Sequence, residues 1–151
     1  MEFRKRIRLS PEAYADRSAT FHLVIHTHPK VSRLSSAVLD GVWATVVEQR
    51  DADRVQLFAA CLMPDHLHLI AKPANLNLLR FIDAWKAWST RRAWAAGHIG
   101  LLWQPSFWDR TIRNFEDFVE TRAYVLSNPV AAGLVAEFDD WPWSWAEDLD
   151  A

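Results

Sequence analysis

The chain is poor in cysteine, glycine and tyrosine, and the scarcity of cysteine restricts where it can work. Its one cysteine, Cys61, cannot form an internal disulfide, which favours a reducing compartment. No apolar run approaches the ~20 residues of a membrane-spanning helix, and the first residues lack the apolar segment of a signal peptide. We therefore expect a cytoplasmic protein without membrane association.

Positive charge is missing from the C-terminal segment, where no Lys or Arg occurs from residue 136 onward. Without the six acidic residues of that segment, the chain has 17 basic and 13 acidic residues, a net charge of +4 against −2 for the whole. Basic residues cluster near the start, at Arg4, Lys5, Arg6 and Arg8. Such a cluster is usually a solvated surface, but contact with nucleic-acid phosphates requires the same residues.

The hydrophobic pattern predicts the element order β-α-β-β-α-β-α. Strands are expected at residues 20–27, 55–62, 67–72 and 107–113, and helices at 36 to about 50, 78–92 with Gly97 as a stop, and 115 to about 127. The first six elements match a ferredoxin-like βαββαβ arrangement, an α+β fold with an antiparallel sheet. In that arrangement the first and third strands are central neighbours.

The length of the chain favours a single domain spanning residues 1–151. Residues 1–18 are expected to form an irregular basic arm, and residues 136–151 an acidic tail. The tail is rich in tryptophan, and we expect Trp141, Trp143 and Trp145 to hold it against the body. Trp43, Trp85 and Trp88 lie on helix stripes and are expected in the core, whereas Trp103 and Trp108 have no clear assignment.

Two histidines on the third strand are the sharpest chemical feature. Side chains alternate along a strand, so His66 and His68 project from one face with their Cα atoms about 7 Å apart. Two imidazoles placed in this way suit one divalent ion, although two ordinary histidines at a strand end give the same pattern. By the same alternation, His22 and His26 share a face of the first strand. Three roles are open for them: metal ligands, residues that support the ligands, or surface histidines without a function.

Tyr124 lies in the last predicted helix, about 180° from Phe115 at ~100° per residue. Phe115, Phe118, Val119 and Leu126 form the expected apolar stripe, so Tyr124 and Asn128 are predicted on the opposite face, one turn apart. Pro129 disfavours helical geometry at Asn128, and the helix is expected to end or kink there. The side-chain oxygen of Asn128 is a suitable ligand for a hard divalent ion. An exposed tyrosine without a function also fits this position.

Four segments carry a family resemblance: residues 61–70 (CLMPDHLHLI), 102–110 (LWQPSFWDR), 124–135 (YVLSNPVAAGLV) and 140–144 (DWPWS). In this order and spacing, the sequence resembles the single-tyrosine HUH transposases, and most closely the REP-associated tyrosine transposases. The resemblance covers about residues 4–145. It implies that His66, His68 and Asn128 bind the metal and that Tyr124 is the nucleophile. Other branches of the superfamily have Gln or Glu at the position of Asn128.

The resemblance implies a bacterial, nucleoid-associated enzyme that cleaves and rejoins single-stranded DNA near imperfect hairpins. It would use Mg²⁺ or Mn²⁺ and a 5′-phosphotyrosine intermediate, and no dedicated general base is evident. Candidate DNA contacts are Arg4, Lys5, Arg6, Arg8, Arg110 and Arg113, with Lys86, Arg91 and Arg92 as further possibilities. Alternatives are an idle, domesticated nucleic-acid-binding module and a small metal-dependent hydrolase that uses water. Relatives include monomers and dimers, so the resemblance allows either oligomeric state for this chain.

Overall fold

A computed structural model describes residues 9–149. Its elements, in chain order, are α1 Pro11–Ala15, β1 Thr20–His26, α2 Ser36–Asp51, β2 Val55–Met63, β3 His66–Pro73, α3 Leu78–Ala95, β4 Trp108–Ile112, α4 Phe115–Ala131 and β5 Ser144–Ala146. The seven predicted elements are therefore present and in the predicted order. The sequence did not predict α1 and β5.

The strands form one antiparallel sheet in the order β4-β1-β3-β2-β5. The prediction of a ferredoxin-like α+β fold is confirmed, with β1 and β3 as central neighbours. The register pairs His26 with His66 and Val24 with His68. Because β1 and β3 are adjacent, the histidines of the two strands meet on one face of the sheet.

The two faces of the sheet have different coverings. On one face, Leu23 and Ile25 of β1 and Leu67 and Leu69 of β3 pack in the main core with residues of α2 and α3. On the other face, a smaller cluster of Ala59, Cys61, Met63, Ile70, Ile112, Val125 and Trp141 joins the sheet to α4 and the tail. The helix α4 therefore covers the face on which the histidines lie.

The ends of the longer helices follow local capping chemistry. Side chains of Ser35, Asn77 and Asn114 each accept a hydrogen bond from a backbone N–H in the first turn of the following helix. Such bonds satisfy donors that have no partner within the helix. After α3, Gly97 adopts a φ of 106°, which favours glycine and lets the chain turn away.

The prediction of an irregular arm over residues 1–18 is wrong for part of its length. Pro11–Ala15 form a short helix, and Tyr14 within it is fully buried. The Tyr14 hydroxyl donates to Oδ2 of Asp109 at 2.8 Å, and its ring stacks on Phe21. This segment is thus part of the packed body. The basic cluster at Arg4, Lys5, Arg6 and Arg8 lies outside the described residues.

Of the two alternatives predicted at Asn128, an end or a kink of the last helix, the end is wrong, because α4 continues through Pro129 to Ala131. Proline has no N–H to donate to the carbonyl of Val125. The Asn128 side chain compensates, since its Nδ2 donates to Val125 O at 3.3 Å and to Tyr124 O at 2.9 Å. Ala132 N still donates to Asn128 O, which carries the helical bonding past the proline.

The predicted apolar stripe of α4 is confirmed for Leu126, which is buried, and for Phe118, which packs against the smaller cluster, but it is wrong for its other two residues. Phe115 is 71% exposed and Val119 is 38% exposed. The buried residues of the helix are Asp117, Thr121, Val125, Leu126 and Pro129. Two buried polar residues thus occupy part of the face that packs on the sheet, which hydrophobicity alone does not reveal.

The tail crosses the edge of the sheet. Its short strand β5 pairs with β2, with Ala60 opposite Trp145. Nε1 of Trp141 donates to Leu62 O at 2.9 Å, and Nε1 of Trp143 donates to Oδ1 of Asp40 at 2.8 Å. Trp145 packs on the main core and lies beneath the Arg50 guanidinium. All three tail tryptophans therefore contact the body.

The remaining tryptophans divide between core and surface. Trp85 is buried and its ring lies 5.0 Å from that of Trp103, which is also buried. Trp43 is partly buried and packs against the main core, and Trp88 lies beneath the guanidinium of Arg54. Over residues 9–149, none of the helices has the length and apolar character needed to span a bilayer.

Candidate active site

His66 and His68 point to the same face of β3, as the alternation of a strand requires. Their ring centroids are 4.8 Å apart and the rings are nearly perpendicular. His68 is buried, with 4% of its surface exposed, and His66 is half-buried. The rigid central strand therefore holds two imidazoles at the spacing expected of ligands to one ion.

His22 and His26 of β1 lie behind this pair. The His26 ring stacks on His66 with a centroid distance of 4.9 Å, and the His22 ring stacks on His68 at 5.2 Å. Nε2 of His22 lies 3.0 Å from Nδ1 of His68, within hydrogen-bond distance. Among the alternatives open from the sequence, this geometry favours His22 as a support for His68, because it occupies Nδ1 and leaves Nε2 of His68 for a metal.

His66 has a similar support from the preceding turn. Its Nδ1 donates to Oδ1 of Asp65 at 2.6 Å. A carboxylate that accepts from one ring nitrogen fixes the tautomer and the orientation of a metal-binding histidine. Nε2 of His66 is then the nitrogen with a lone pair for an ion.

The helix α4 brings Tyr124 and Asn128 to the same place. The Tyr124 ring lies 5.7 Å from the His68 ring and 6.1 Å from the His22 ring, measured between centroids, while 57% of the residue is exposed. Asn128 follows one helical turn later, and its side chain forms a hydrogen bond with His68. Because Nδ2 of Asn128 donates to backbone carbonyls, Oδ1 is the polar atom of this side chain that is left to face His68 or an ion beside it.

These side chains open into one cleft with a volume of about 710 Å³. The floor is the sheet and one wall is α4. The lining residues are His22, Val24, His26, His66, His68, Trp108, Arg110, Asp117, Glu120, Thr121, Tyr124 and Asn128. The structure thus brings together the four residues that the sequence singled out as catalytic or metal-binding.

Three of the cleft histidines are held in the neutral form. Burial lowers the pKa of His22 to about 4, with a further decrease from the nearby Arg110 charge. Burial and the neighbouring His66 lower the pKa of His26 to about 4. Burial, followed by the other histidines, also moves the pKa of His68 far below its ordinary value. A neutral imidazole has the lone pair that a metal ligand needs.

The donor set fits a divalent ion through three atoms: Nε2 of His66, Nε2 of His68 and Oδ1 of Asn128. Within the described part of the chain, no group of three or more His, Cys, Asp or Glu side chains is arranged to hold a metal ion. The amide oxygen of Asn128 is therefore the candidate for a third ligand in this cleft. Mn²⁺ accepts both imidazole nitrogen and carbonyl oxygen, while Mg²⁺ prefers oxygen ligands and retained waters.

The basic candidates for DNA contact have varied surroundings. Arg110 lines the cleft, but both of its terminal nitrogens donate to Asp117, at 2.9 and 3.0 Å. The Arg113 side chain is 81% exposed and lies 3.7 Å from the same carboxylate. Lys86, Arg91 and Arg92 belong to α3, on the opposite face of the sheet. Lys86 donates to two backbone carbonyls, of Gln104 and Ser106.

Several residues in or beside the cleft were not singled out from the sequence as parts of the site. Trp108 has its ring 5.0 Å from that of His22, and Asp65 supports His66. Asp117 and Thr121 lie seven and three residues before Tyr124, on the same helix face. That spacing was a usable signal for Asp117 and Thr121, but the assumed apolar stripe obscured it.

Known proteins share both the sequence pattern and the fold. The family model of the IS200-like transposases (Y1) matches residues 16–125. The REP-associated tyrosine transposase of Escherichia coli (strain K12) is 25% identical over 132 residues, which cover 87% of this chain and 78% of that protein. A structure of a REP-associated tyrosine transposase bound to a REP hairpin matches with a TM-score of 0.67 at 21% identity, covering 99% of this chain and 93% of the other.

At that identity, the structural likeness shows the shared fold. The match to the family model is stronger support for family membership, since it extends over most of the chain and includes His66, His68 and Tyr124. The chain therefore belongs to the IS200-like (Y1) transposase family.

Proposed function

We propose that this transposase cleaves and rejoins single-stranded DNA through a covalent bond to Tyr124. One observation carries the proposal: the Tyr124 ring lies 5.7 Å from the ring of His68 in the cleft that also contains His66 and Asn128. A nucleophile needs to be exposed to its substrate, and 57% of Tyr124 is exposed although its neighbours are buried. The nucleophile and the metal-binding groups are thus placed to act on one phosphate.

His66, His68 and Asn128 would hold Mn²⁺ or Mg²⁺ in this proposal. The ion, when bound, supplies Lewis-acid polarisation of the scissile phosphate. His22 and Asp65 orient the two imidazoles through their second ring nitrogens. The residues of the chain thereby define where the phosphate is placed relative to Tyr124.

The covalent step is a transfer between oxygens. Oη of Tyr124 attacks the phosphorus, a new Oη–P bond forms, and the bond from phosphorus to the 3′-oxygen breaks. The 3′-oxygen leaves with the bonding electron pair and takes up a proton, while the phenol proton passes to solvent. The products are a 5′-phosphotyrosine and a free 3′-hydroxyl, and attack by another 3′-hydroxyl rejoins the DNA without ATP.

We further propose that the DNA carries hairpins. A protein of the same fold is bound to a REP hairpin, and the family resemblance concerns proteins related to it. The cluster of Arg4, Lys5, Arg6 and Arg8 supplies positive charge for phosphate contact. Binding through such contacts weakens as the salt concentration rises.

Two alternative functions make different demands on the site. A domesticated binding module has no need of Tyr124, His66, His68 and Asn128 in a single cleft, yet the structure holds all four there. A hydrolase that activates water would cleave DNA without Tyr124. Whether DNA becomes attached to Tyr124, and whether cleavage needs Tyr124, therefore distinguishes strand transfer from the binding module and from the hydrolase.

Covalent trapping tests the proposal. The protein is mixed with hairpin-bearing single-stranded DNA from the flanks of its own gene, labelled at the 3′-end, with Mn²⁺ or Mg²⁺. We expect a labelled adduct on denaturing gels that disappears with EDTA and in Tyr124→Phe. The matched control is Tyr14→Phe at the second of the two tyrosines, which is buried outside the cleft; it should keep the adduct.

The other outcomes are equally informative. Cleavage by Tyr124→Phe without an adduct would make water the nucleophile. Metal-independent binding by the wild-type chain, with neither adduct nor cleavage, would favour the domesticated module.

A further inference from the structure

A polar cluster joins β4 to α4 at the wall of the cleft. Nη1 of Arg110 donates to Oδ2 of Asp117 at 2.9 Å, and Nη2 donates to Oδ1 at 3.0 Å. Nη2 also donates to Oγ1 of Thr121 at 2.7 Å. Asp117 and Thr121 are buried, with 8% and 5% exposed. One guanidinium thus contacts two successive turns of the helix that carries Tyr124.

The same carboxylate fixes the start of the helix. Oδ2 of Asp117 accepts from Arg113 N at 2.8 Å, and Asp117 N donates to Oδ1 of Asn114 at 2.8 Å. The hydrogen bonds from Arg110 and Arg113 hold the pKa of Asp117 far below its ordinary value, so the carboxylate stays charged. Asp117 therefore connects the last residues of β4, the turn and the first turn of α4.

The cluster lies on the face of α4 that carries the proposed catalytic residues. Asp117, Thr121, Tyr124 and Asn128 follow each other at intervals of four, three and four residues, which align on one side of a helix. In the first turns Phe118 packs edge to face on Phe58, whereas Phe115 and Val119 are exposed. The hydrogen bonds of Arg110 and Asp117 therefore add a directional restraint on the rotation of the helix about its axis, and with it on the direction of Tyr124.

We propose that Arg110, Asp117 and Thr121 are positioning residues that set the place of Tyr124 relative to His66 and His68. This inference rests on the proposed strand transfer by Tyr124. It differs from the sequence-based prediction of a DNA contact at Arg110, because both terminal nitrogens are already engaged by a carboxylate. A phosphate would have to displace Asp117 to bind there.

Separate measurements of chemistry and binding test the inference. The variants are Asp117→Asn and Arg110→Lys, which removes the forked geometry that matches a carboxylate. We expect the rate of adduct formation at saturating DNA to fall about tenfold or more, since small misplacements of reacting groups are costly. The Kd for DNA and its salt dependence should change less than twofold.

Matched controls are available on α3, where Asp83 and Arg80 are exposed on the opposite face of the sheet. Asp83→Asn and Arg80→Lys should leave the rate at saturating DNA unchanged. Thr121→Val is a milder variant that keeps the shape of the side chain, and it should slow adduct formation even if the charge variants fold poorly. The double variant Arg110→Asp/Asp117→Arg exchanges the two charges. Its rate of adduct formation should be higher than that of Arg110→Asp alone or of Asp117→Arg alone.

A phosphate contact at Arg110 predicts the reverse pattern. Asp117→Asn would then release Arg110 and tighten DNA binding at an unchanged rate, whereas Arg110→Lys would weaken binding. That result, or full activity of Thr121→Val and Asp117→Asn, would overturn the inference and leave strand transfer by Tyr124 intact. Absence of an adduct in the wild-type chain would overturn both proposals.

Discussion

Nε2 of His22 lies 3.0 Å from Nδ1 of His68, so the first strand of the sheet contacts the ring nitrogen that a metal would not use. This contact fixes the orientation of His68 from behind. The support is buried, with 4% of each residue exposed, and water therefore cannot readily replace it. His22 thus influences the metal site without being a ligand in our proposal.

Replacement of His22 should weaken metal binding. Loss of a supporting partner typically costs 10- to 100-fold in metal affinity, so we expect His22→Leu to raise the Mn²⁺ concentration for half-maximal adduct formation by about that factor. His22→Gln retains a hydrogen-bonding group and should have a smaller effect. His98→Gln, outside the cleft, is the control. An unaltered Mn²⁺ dependence in His22→Leu would contradict the supporting role.

Removal of Trp141 should destabilise the fold. Trp141 is 9% exposed, packs in the smaller cluster and donates to Leu62 O at 2.9 Å. Truncation of a buried Trp to Ala costs about 3–5 kcal/mol, and Trp141→Phe should cost about 1 kcal/mol through the lost hydrogen bond. Urea unfolding measures both. Trp94→Ala, at a residue that is 52% exposed, should cost less than Trp141→Ala, and equal losses would argue against an anchoring role for Trp141.

The Asp117 carboxylate should make stability dependent on pH in the acidic range. Its pKa in the folded chain lies below the ordinary 3.8, chiefly because of the hydrogen bond from Arg110. The unfolded chain takes up the proton at a higher pH, so the contribution is complete above about pH 4 and decreases as the pH falls through the folded pKa. The advantage of wild type over Asp117→Asn in the free energy of unfolding should therefore stay constant from pH 7 to about pH 4 and shrink as the pH falls further. A difference that stays constant below about pH 4 as well would show that Asp117 is not charged preferentially in the folded chain.

Most of the secondary structure could be predicted from the sequence because hydrophobic periodicity decides it. β1 and α2 begin and end within a residue or two of the expected positions. The short helix around Tyr14 could not be predicted, since its stability comes from burial of the ring against Phe21 and the bond to Asp109. The strand β5 has three residues and exists only by pairing with β2.

The candidate site was predictable to the extent that it is local in sequence. The alternation at His66 and His68 and the spacing of Tyr124 and Asn128 are readable directly. The support from His22 was one of several alternatives, because it depends on the register between β1 and β3. The polar face of α4 was missed, since Asp117 and Thr121 are buried only through their bonds to Arg110 on another strand.

The strand β5 has a consequence for solubility. An open strand edge offers unpaired N–H and C=O groups to other chains and invites aggregation. β5 occupies the β2 edge, and the bonds from Leu62 N to Trp143 O and from Glu147 N to Phe58 O extend this cover on both sides. The tail also places negative charge there through Glu147 and Asp148. At the β2 edge it therefore disfavours pairing with another chain both by occupying the backbone hydrogen bonds and by electrostatic repulsion.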